Sequence, residues 1–433
     1  MLHTTLPELP EPDLNQRDTL HRQGLAALAA GERGEAKRVL AQALLENPLD
    51  ALSHAHLAYV LLGEHDLEAA HILYSKAIEL DAHLASAYHG LAQVHEKMGD
   101  SSGAALQRAR GLRLRPITTH RYQGCGTPIE VLLLGAQGST NIDTKHFFDP
   151  QLFRVHALAV EYFPLGQPLP AVDFCFNAIG EADSAHASLL LAKEILTSYR
   201  GRIFNHPDVV LRTGRIAVAQ LLRGITGVRT PQMVQIARRE LAPQQLAETM
   251  ERYGLSYPFL LRTPGQHTGL QFMQIQTAQD VAVALESLPH KEFLAIEFLD
   301  ARSVDGLVRK YRVIVIDGVL YPIHLAISSE WKVHYFSGKT DQLIVHRAEE
   351  ERFLESMPLA LGPAHLARLQ GIARLLALDY GGIDFSIARD GSLVVFEANA
   401  NMGFCLPPPT TQAAYRRPAI ERAQRALGKM LMG

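Results

Sequence analysis

Two carboxylates and an amide stand at a spacing that could hold a hard cation. Residues 381–404, GGIDFSIARDGSLVVFEANANMGF, contain two alternating runs either side of Arg389-Asp390-Gly391-Ser392, a four-residue turn signal. Pairing Ala388 with Leu393 sets Ser386 against Val395 and Asp384 against Glu397. Strand side chains alternate, so Asn399 shares the face of Glu397, while Ile383, Phe385, Ile387, Val394 and Phe396 form an apolar face. Like charges directly opposite on a hairpin are destabilising without a counter-ion. Oxygen donors in this arrangement suit Mg²⁺, which takes one or two carboxylates together with nucleotide phosphates. Asp384, Glu397 and Asn399 are therefore the expected metal ligands. The alternative is a solvated polar face, although exposed pairs more often alternate in sign.

The hairpin Asp384…Glu397-Ala-Asn399 resembles the metal-binding end of the ATP-grasp ligases, in the branch of glutathione synthetase and the ribosomal-protein glutamyl ligase. Upstream pieces occur in the matching order. NHPDVVLRTGRIAVAQLLRGITGVRTPQ resembles the joint between a preceding α/β domain and the grasp domain. YPFLLRTPGQHTG (257–269) resembles the strand and flap over the phosphates, and EFLAIEFLD (292–300) the strand leading to the adenine hinge. RKYRVIVIDGVLYPIHLAIS resembles the next hairpin, turned by Asp317-Gly318. The resemblance spans about 128–405 and implies ATP, two Mg²⁺ (or Mn²⁺) and an ADP-forming ligation of a small carboxylate to an amine through an acyl phosphate. It departs from the family at Arg215 and Arg262, where relatives place lysines on the phosphates, and at Lys332 and His334. Arg and Lys are not interchangeable in phosphate binding.

The residue chemistry agrees with these roles. Arg262 ends an apolar run just before Gly265-x-x-x-Gly269, where side-chain-free backbone amides can approach phosphate oxygens. Ile296, Glu297, Phe298 and Leu299 offer an apolar slot for adenine, with the Glu297 side chain alternatively on ribose. Lys310 and Arg312 share one face of a strand, and Arg312 is placed to neutralise a transferred phosphoryl group. A solvated charged strand is the alternative. Cys405 reads as a core residue.

The first 120 residues repeat. Pro48, Ala82 and Pro116 are 34 apart, as are Ala36, Ala70 and Ala104; Ala43, Ala77 and Gly111; and Gly24, Ala58 and Ala92. Small residues are needed where antiparallel helices cross closely. Helix pairs are expected at 17–30 with 33–46, 51–62 with 67–80, and 85–97 with 101–114, resembling three tetratricopeptide (TPR) repeats. His65 stands where a turn Gly is expected, and Arg108 where Leu40 and Tyr74 stand in the other repeats, which marks the third as a cap. His54-Ala-His56 reads as two separate surface or groove positions, because residues two apart on a helix point about 200° apart.

Between these parts, IEVLLLG (129–135) reads as a buried strand, with further strands at 153–160 and 172–177 and a helix at 184–199. Gly135-Ala136-Gln137-Gly138-Ser139 reads as a tight strand-to-helix turn rather than a phosphate loop. The expected fold class is α/β multidomain: 1–16 flexible, 17–120 all-α repeats, 127–231 an α/β domain, 232–433 an α+β ATP-grasp domain. The 433 residues are 47% apolar and 20% charged, with 42 Lys+Arg against 45 Asp+Glu. A net charge of -3 gives no overall field for nucleic acid or membrane. Three dispersed cysteines fit a reducing compartment, and neither a signal peptide nor a membrane-length apolar run is present, so a cytoplasmic protein is expected. The reading is a carboxylate–amine ligase whose repeats hold a peptide or protein; the rival is a repeat scaffold with an inactive nucleotide-binding part.

Overall fold

The computed structural model describes residues 19–263, 271–288, 290–333 and 343–433. The chain divides into two compact units, one running to Gln137 and including Asp149–Phe174, the other made of Gly138–Phe148 and Cys175–Gly433.

The first unit opens with six helices in pairs: α1 (Thr19–Ala29) with α2 (Arg33–Glu46), α3 (Ala51–Gly63) with α4 (Leu67–Leu80), and α5 (Ala85–Lys97) with α6 (Ser101–Leu114). These are the expected pairs. Ala36, Ala70 and Ala104 are all buried, and so are Ala58 and Ala92. Close approach explains Gly90, where a Cβ would lie 2.1 Å from the Tyr74 ring. Gly31, His65 and Gly99 occupy the same turn at 34-residue intervals, with φ of 79°, 64° and 82°. His65 thus adopts the left-handed conformation that glycine fills in the other two. Asp66 and Asp100, the next residues, cap α4 and α6 by accepting from Ala69 N–H and Gly103 N–H.

His56 departs from expectation. It is only 3% exposed, and its Nδ1 lies 3.0 Å from Nε2 of the equally buried His21, whose Nδ1 meets Asp50 at 3.1 Å. The residues two apart do diverge, but one of them points into the seam between α1 and α3. His54 bonds the Pro48 carbonyl instead.

After α6 come β1 (Ile117–Thr119), β2 (Ile129–Gly135) and β3 (Phe153–Ala159), in spatial order β1-β3-β2. β2 runs parallel to β3, and β1 antiparallel. No helix follows β2 in residues 136–152, so the expected strand-to-helix turn is instead the start of a long connection.

The second unit contains β4 (Phe174–Asn177), α7 (His186–Ile195), β5 (Arg202–Phe204), α8 (Pro207–Val210), α9 (Arg215–Leu222), β6 (Val228–Arg229), β7 (Met233–Ala237), α10 (Leu246–Tyr253), β8 (Phe259–Arg262), β9 (Phe272–Ile275), α11 (Ala278–Ser287) and β10 (Glu292–Glu297). It continues through β11 (Val308–Ile316), β12 (Val319–Ser328), α12 (Ile344–Glu355), α13 (Met357–Leu376), β13 (Tyr380–Ile387), β14 (Leu393–Asn399) and α14 (Arg417–Met432). Two sheets build the grasp-like part, ordered β7-β10-β8-β9 and β12-β11-β13-β14-β6. The β11–β12 hairpin closes on Asp317-Gly318, both at positive φ, as a two-residue turn of this kind requires. Val313, Ile314, Val315 and Ile316 are at most 2% exposed, and α14 packs on β11 and β12. A buried Glu350 on α12 accepts from Leu325 N–H on β12 and from the Arg416 guanidinium. No described helix is long and apolar enough to cross a membrane.

Candidate active site

Asp384 and Glu397 do stand opposite each other, although not through the expected pairing. Ile387 pairs with Leu393, Ser386 with Val394 and Phe385 with Val395; the register then shifts and Asp384 meets Glu397. Phe396 is the extra residue of a β-bulge, which offsets a turn one residue longer than the sequence suggests. Asn399 lies two residues beyond Glu397, opposite Gly382.

β11 flanks β13 on the other side, with Arg312 directly opposite Asp384. Nε and Nη2 of Arg312 donate to the two Asp384 oxygens at 2.7 and 2.8 Å, and Lys310 Nζ lies 2.7 Å from Oδ2. Asp384 is fully buried. Burial alone would raise its pKa, but the Arg312 and Lys310 charges outweigh it and hold the carboxyl well below the usual range. Against a similar burial penalty, Asp384 raises the pKa of Arg312.

Glu397 Oε1 lies 2.8 Å from Arg215 Nη1 and accepts from Asn399 Nδ2 at 2.9 Å. Its burial penalty is likewise overcome, chiefly by Arg215, so its pKa is lowered. Arg262 stacks over Phe272, its register partner on β9, at 5.5 Å. Burial first, and the nearby Arg215 charge second, lower the Arg262 pKa to about 10. The counter-ions that facing carboxylates need are therefore cationic side chains of the chain itself.

This bears on the metal. Asp384, Glu397 and Asn399 are hard oxygen donors on one sheet face, the right kind for Mg²⁺. However, both Asp384 oxygens and Oε1 of Glu397 are engaged by Arg312, Lys310 and Arg215. Among the described residues no group of three or more His, Cys, Asp or Glu side chains is arranged to hold a metal. The Asn399 oxygen is engaged as well, accepting from Asn401 N–H at 3.0 Å, so the donors are of the right kind but are occupied by the chain's own groups.

No family model and no curated protein matches the chain. Solved structures similar to it include ATP-grasp ligases and a TPR domain. The ATP-grasp ligase PsnB, complexed with precursor peptide PsnA2 and AMPPNP, is 15% identical over 70% of this chain and 100% of that one, with a TM-score of 0.40. The VanG D-Ala:D-Ser ligase from Enterococcus faecalis is 12% identical over 71% of this chain and 99% of that one, at 0.42. The TPR domain of Arabidopsis OM64 is 22% identical over 22% of this chain and 80% of that one, at 0.22.

The residues expected to bind nucleotide have partners of their own. Glu297 is tied to Gln232 in both directions: its carboxylate accepts from Gln232 N–H at 2.9 Å, and its own N–H donates to Gln232 O. A ribose contact would compete with that clasp. Phe298 and Phe272 both meet Trp331 edge-on, at 6.2 and 5.4 Å, and Lys332 Nζ donates to Phe272 O at 3.2 Å. Leu299 packs instead against an apolar cluster with Ala301, Val308 and Val394. Gly265, Gly269 and His334 lie outside the described residues.

Several site residues escaped sequence reasoning. Glu181, 5% exposed, lies 3.8 Å from Arg215, and its pKa is raised by burial. Asp183 accepts from the Arg215 N–H at 3.0 Å and so fixes the start of α9. Buried His324 is the β12 partner of Arg312, and burial keeps it neutral. Gly180-Glu181-Ala182-Asp183 follows shortly after a short apolar strand, and ligands favour the carboxyl ends of such strands in open α/β sheets. That signal was available for Glu181 and Asp183. Nothing in the sequence marks His324, which reads as one residue of an apolar strand.

Proposed function

We propose that the chain is an ATP-dependent carboxylate–amine ligase acting through an acyl phosphate, with the repeat array holding a peptide or protein partner. One observation carries the reading. Lys310, Arg312, Arg215 and Arg262 are gathered around Asp384, Glu397, Glu181 and Asp183, four cations to four carboxylates, at the meeting of β8, β11, β13 and β14. Such a centre offers cationic side chains to phosphate oxygens and acidic oxygens to a metal beside them.

In the reaction, Arg262 and Arg215 bind the nucleotide phosphates and Arg312 neutralises charge on the γ-phosphoryl group as it passes to the substrate carboxylate. Lys310 keeps the Asp384 charge balanced as Arg312 turns toward the phosphate. Mg²⁺, held by Asp384, Glu397 and Asn399, would supply charge screening of the β- and γ-phosphates. Phe272, Phe298 and Trp331 offer an aromatic wall for the base. An amine held nearby then displaces phosphate, favoured by proximity over attack by water.

The test is trapping with hydroxylamine. Given ATP, Mg²⁺ and a pool of carboxylates and peptides, an acyl phosphate yields a hydroxamate and ADP in equal amounts. AMP and pyrophosphate would refute the phosphoryl route. Nucleotide binding with no turnover across all pools would favour the scaffold reading, to which Arg215 and Arg262 in place of lysines lend support.

A further inference from the structure

A basic stretch lies at the end of the repeat array. From Ser101 to Ile129 there are five arginines, at 108, 110, 113, 115 and 121, and no acidic residue, in a chain of net charge -3. Arg108 is bonded to Glu96, and Arg113 lies over the Tyr162 ring. Arg115 and Arg121 are exposed, and neither forms an ion pair among the described residues. These two flank β1, the end strand of the order β1-β3-β2.

The register decides what the outer edge of β1 offers. His120 N–H donates to Val155 O, and Ala159 N–H to Pro116 O, so the even-numbered residues face β3. In an antiparallel pair the intervening residues turn their backbone groups the other way. The N–H and C=O of Ile117 and Thr119 therefore face outward. Proline often protects an edge by removing a donor. Here Pro116 lies in the inward-bonded register, so the donor it lacks faces β3 and the outer edge keeps its own.

Side chains two apart share a face, which places Arg115, Ile117, Thr119 and Arg121 together. That face continues across the sheet: Thr119 Oγ1 meets His156 Nδ1 at 2.9 Å, His156 meets Glu130 at 2.9 Å, and Arg154 meets Glu130 at 2.8 Å. Its carboxylate is thus already partnered, while the two flanking arginines are available to an outside acid.

We propose that the outer edge of β1 binds an acidic, extended peptide segment as an added strand, with Arg115 and Arg121 pairing to two carboxylates six residues apart. Strand addition takes affinity from main-chain bonds and specificity from alternate side chains, and arginine pairs bidentately with carboxylate. Arg115 and Arg121 are separated by ~20 Å of extended chain, which sets the spacing of the two acids. A nucleic acid could meet the arginines but has no groups to match the outward amides and carbonyls at strand spacing. The site is independent of the ligase reading and stands whether or not the chain turns over ATP.

The test is fluorescence anisotropy on the full chain with labelled nine-residue Thr/Val peptides. One carries glutamates six apart; a second of equal composition carries them five apart, which sends one acid to the opposite face. The six-spaced peptide should bind at least about tenfold tighter, a difference measured on unmodified protein. The double variant Arg115→Glu, Arg121→Glu should lose that binding and regain it with lysines in place of the peptide glutamates. Thr119→Pro, which removes one outward donor, should weaken the six-spaced peptide several-fold. Equal binding of the two spacings, equal binding of a single-stranded oligonucleotide of the same charge, or indifference to the arginine reversal would overturn the proposal.

Discussion

The repeat array and the charged sheet centre place unlike demands on their residues. In the array, three copies of one module pack with small residues at fixed columns, and Ala36, Ala70 and Ala104 are interchangeable solutions of one steric problem. In the sheet, each residue is particular: Asp384 is held by Arg312 and Lys310, and Glu397 by Arg215 and Asn399. Packing of the first kind tolerates drift, whereas a buried charge cluster depends on every partner. Removing one member leaves an uncompensated ion, and that makes the centre the more fragile of the two.

The largest effect should therefore come from Asp384. Asp384→Asn strands Arg312 and Lys310 around a neutral amide and should cost about 3–5 kcal/mol of stability, the usual penalty for breaking a buried pair from one side. Urea denaturation measures it, and adding Lys310→Met should recover part of the loss. A loss as small as that of an array Ala→Ser change would remove the contrast between the regions.

His89 on α5 gives the array its own electrostatic weakness. Burial first, then Arg108 and Arg115, lower its pKa to about 4. A histidine kept neutral in the fold but free to protonate when unfolded stabilises fully above pH 6.5, and that stability is lost as pH falls toward 4. The loss should reach up to about 3 kcal/mol. Thermal melts between pH 7 and 4 should show the slope flatten in His89→Gln.

Next comes Arg262→Ala. If its guanidinium holds phosphate, ATP binding should weaken by about 1.5–3 kcal/mol relative to adenosine. Equal weakening of both ligands in calorimetry would assign the residue a structural role over Phe272. The smallest effect is expected at His65, where glycine would remove the left-handed strain. His65→Gly should stabilise the array by about 1 kcal/mol, read as a shift in its urea midpoint. No shift would mean that the His65 side chain compensates for its backbone.

The same contrast explains what could be read in the sequence. Repetition writes a packing rule three times, so the 34-residue columns located all six helices, including the irregular turn at His65. The sheet centre is written once. Alternation located the Asp384–Glu397 pair, yet the bulge at Phe396 was invisible, because it adds a residue to a run that still alternates locally. The partnership of Arg312 with Asp384 was also hidden, since β11 and β13 are 72 residues apart at that pair and only the sheet order brings them together. His56 was misread because helical periodicity gives a direction and not what lies there; His21, from the preceding pair, is the partner.

A centre whose carboxylates are already neutralised by the chain should bind anionic phosphate first and accept metal only with it. Calorimetric titration of the full chain with ATP in excess EDTA, and separately with Mg²⁺ in the absence of nucleotide, tests this directly. The account predicts measurable binding of metal-free ATP and no saturable heat from Mg²⁺ alone. Tight binding of Mg²⁺ alone, with ATP bound only after the metal, would contradict it.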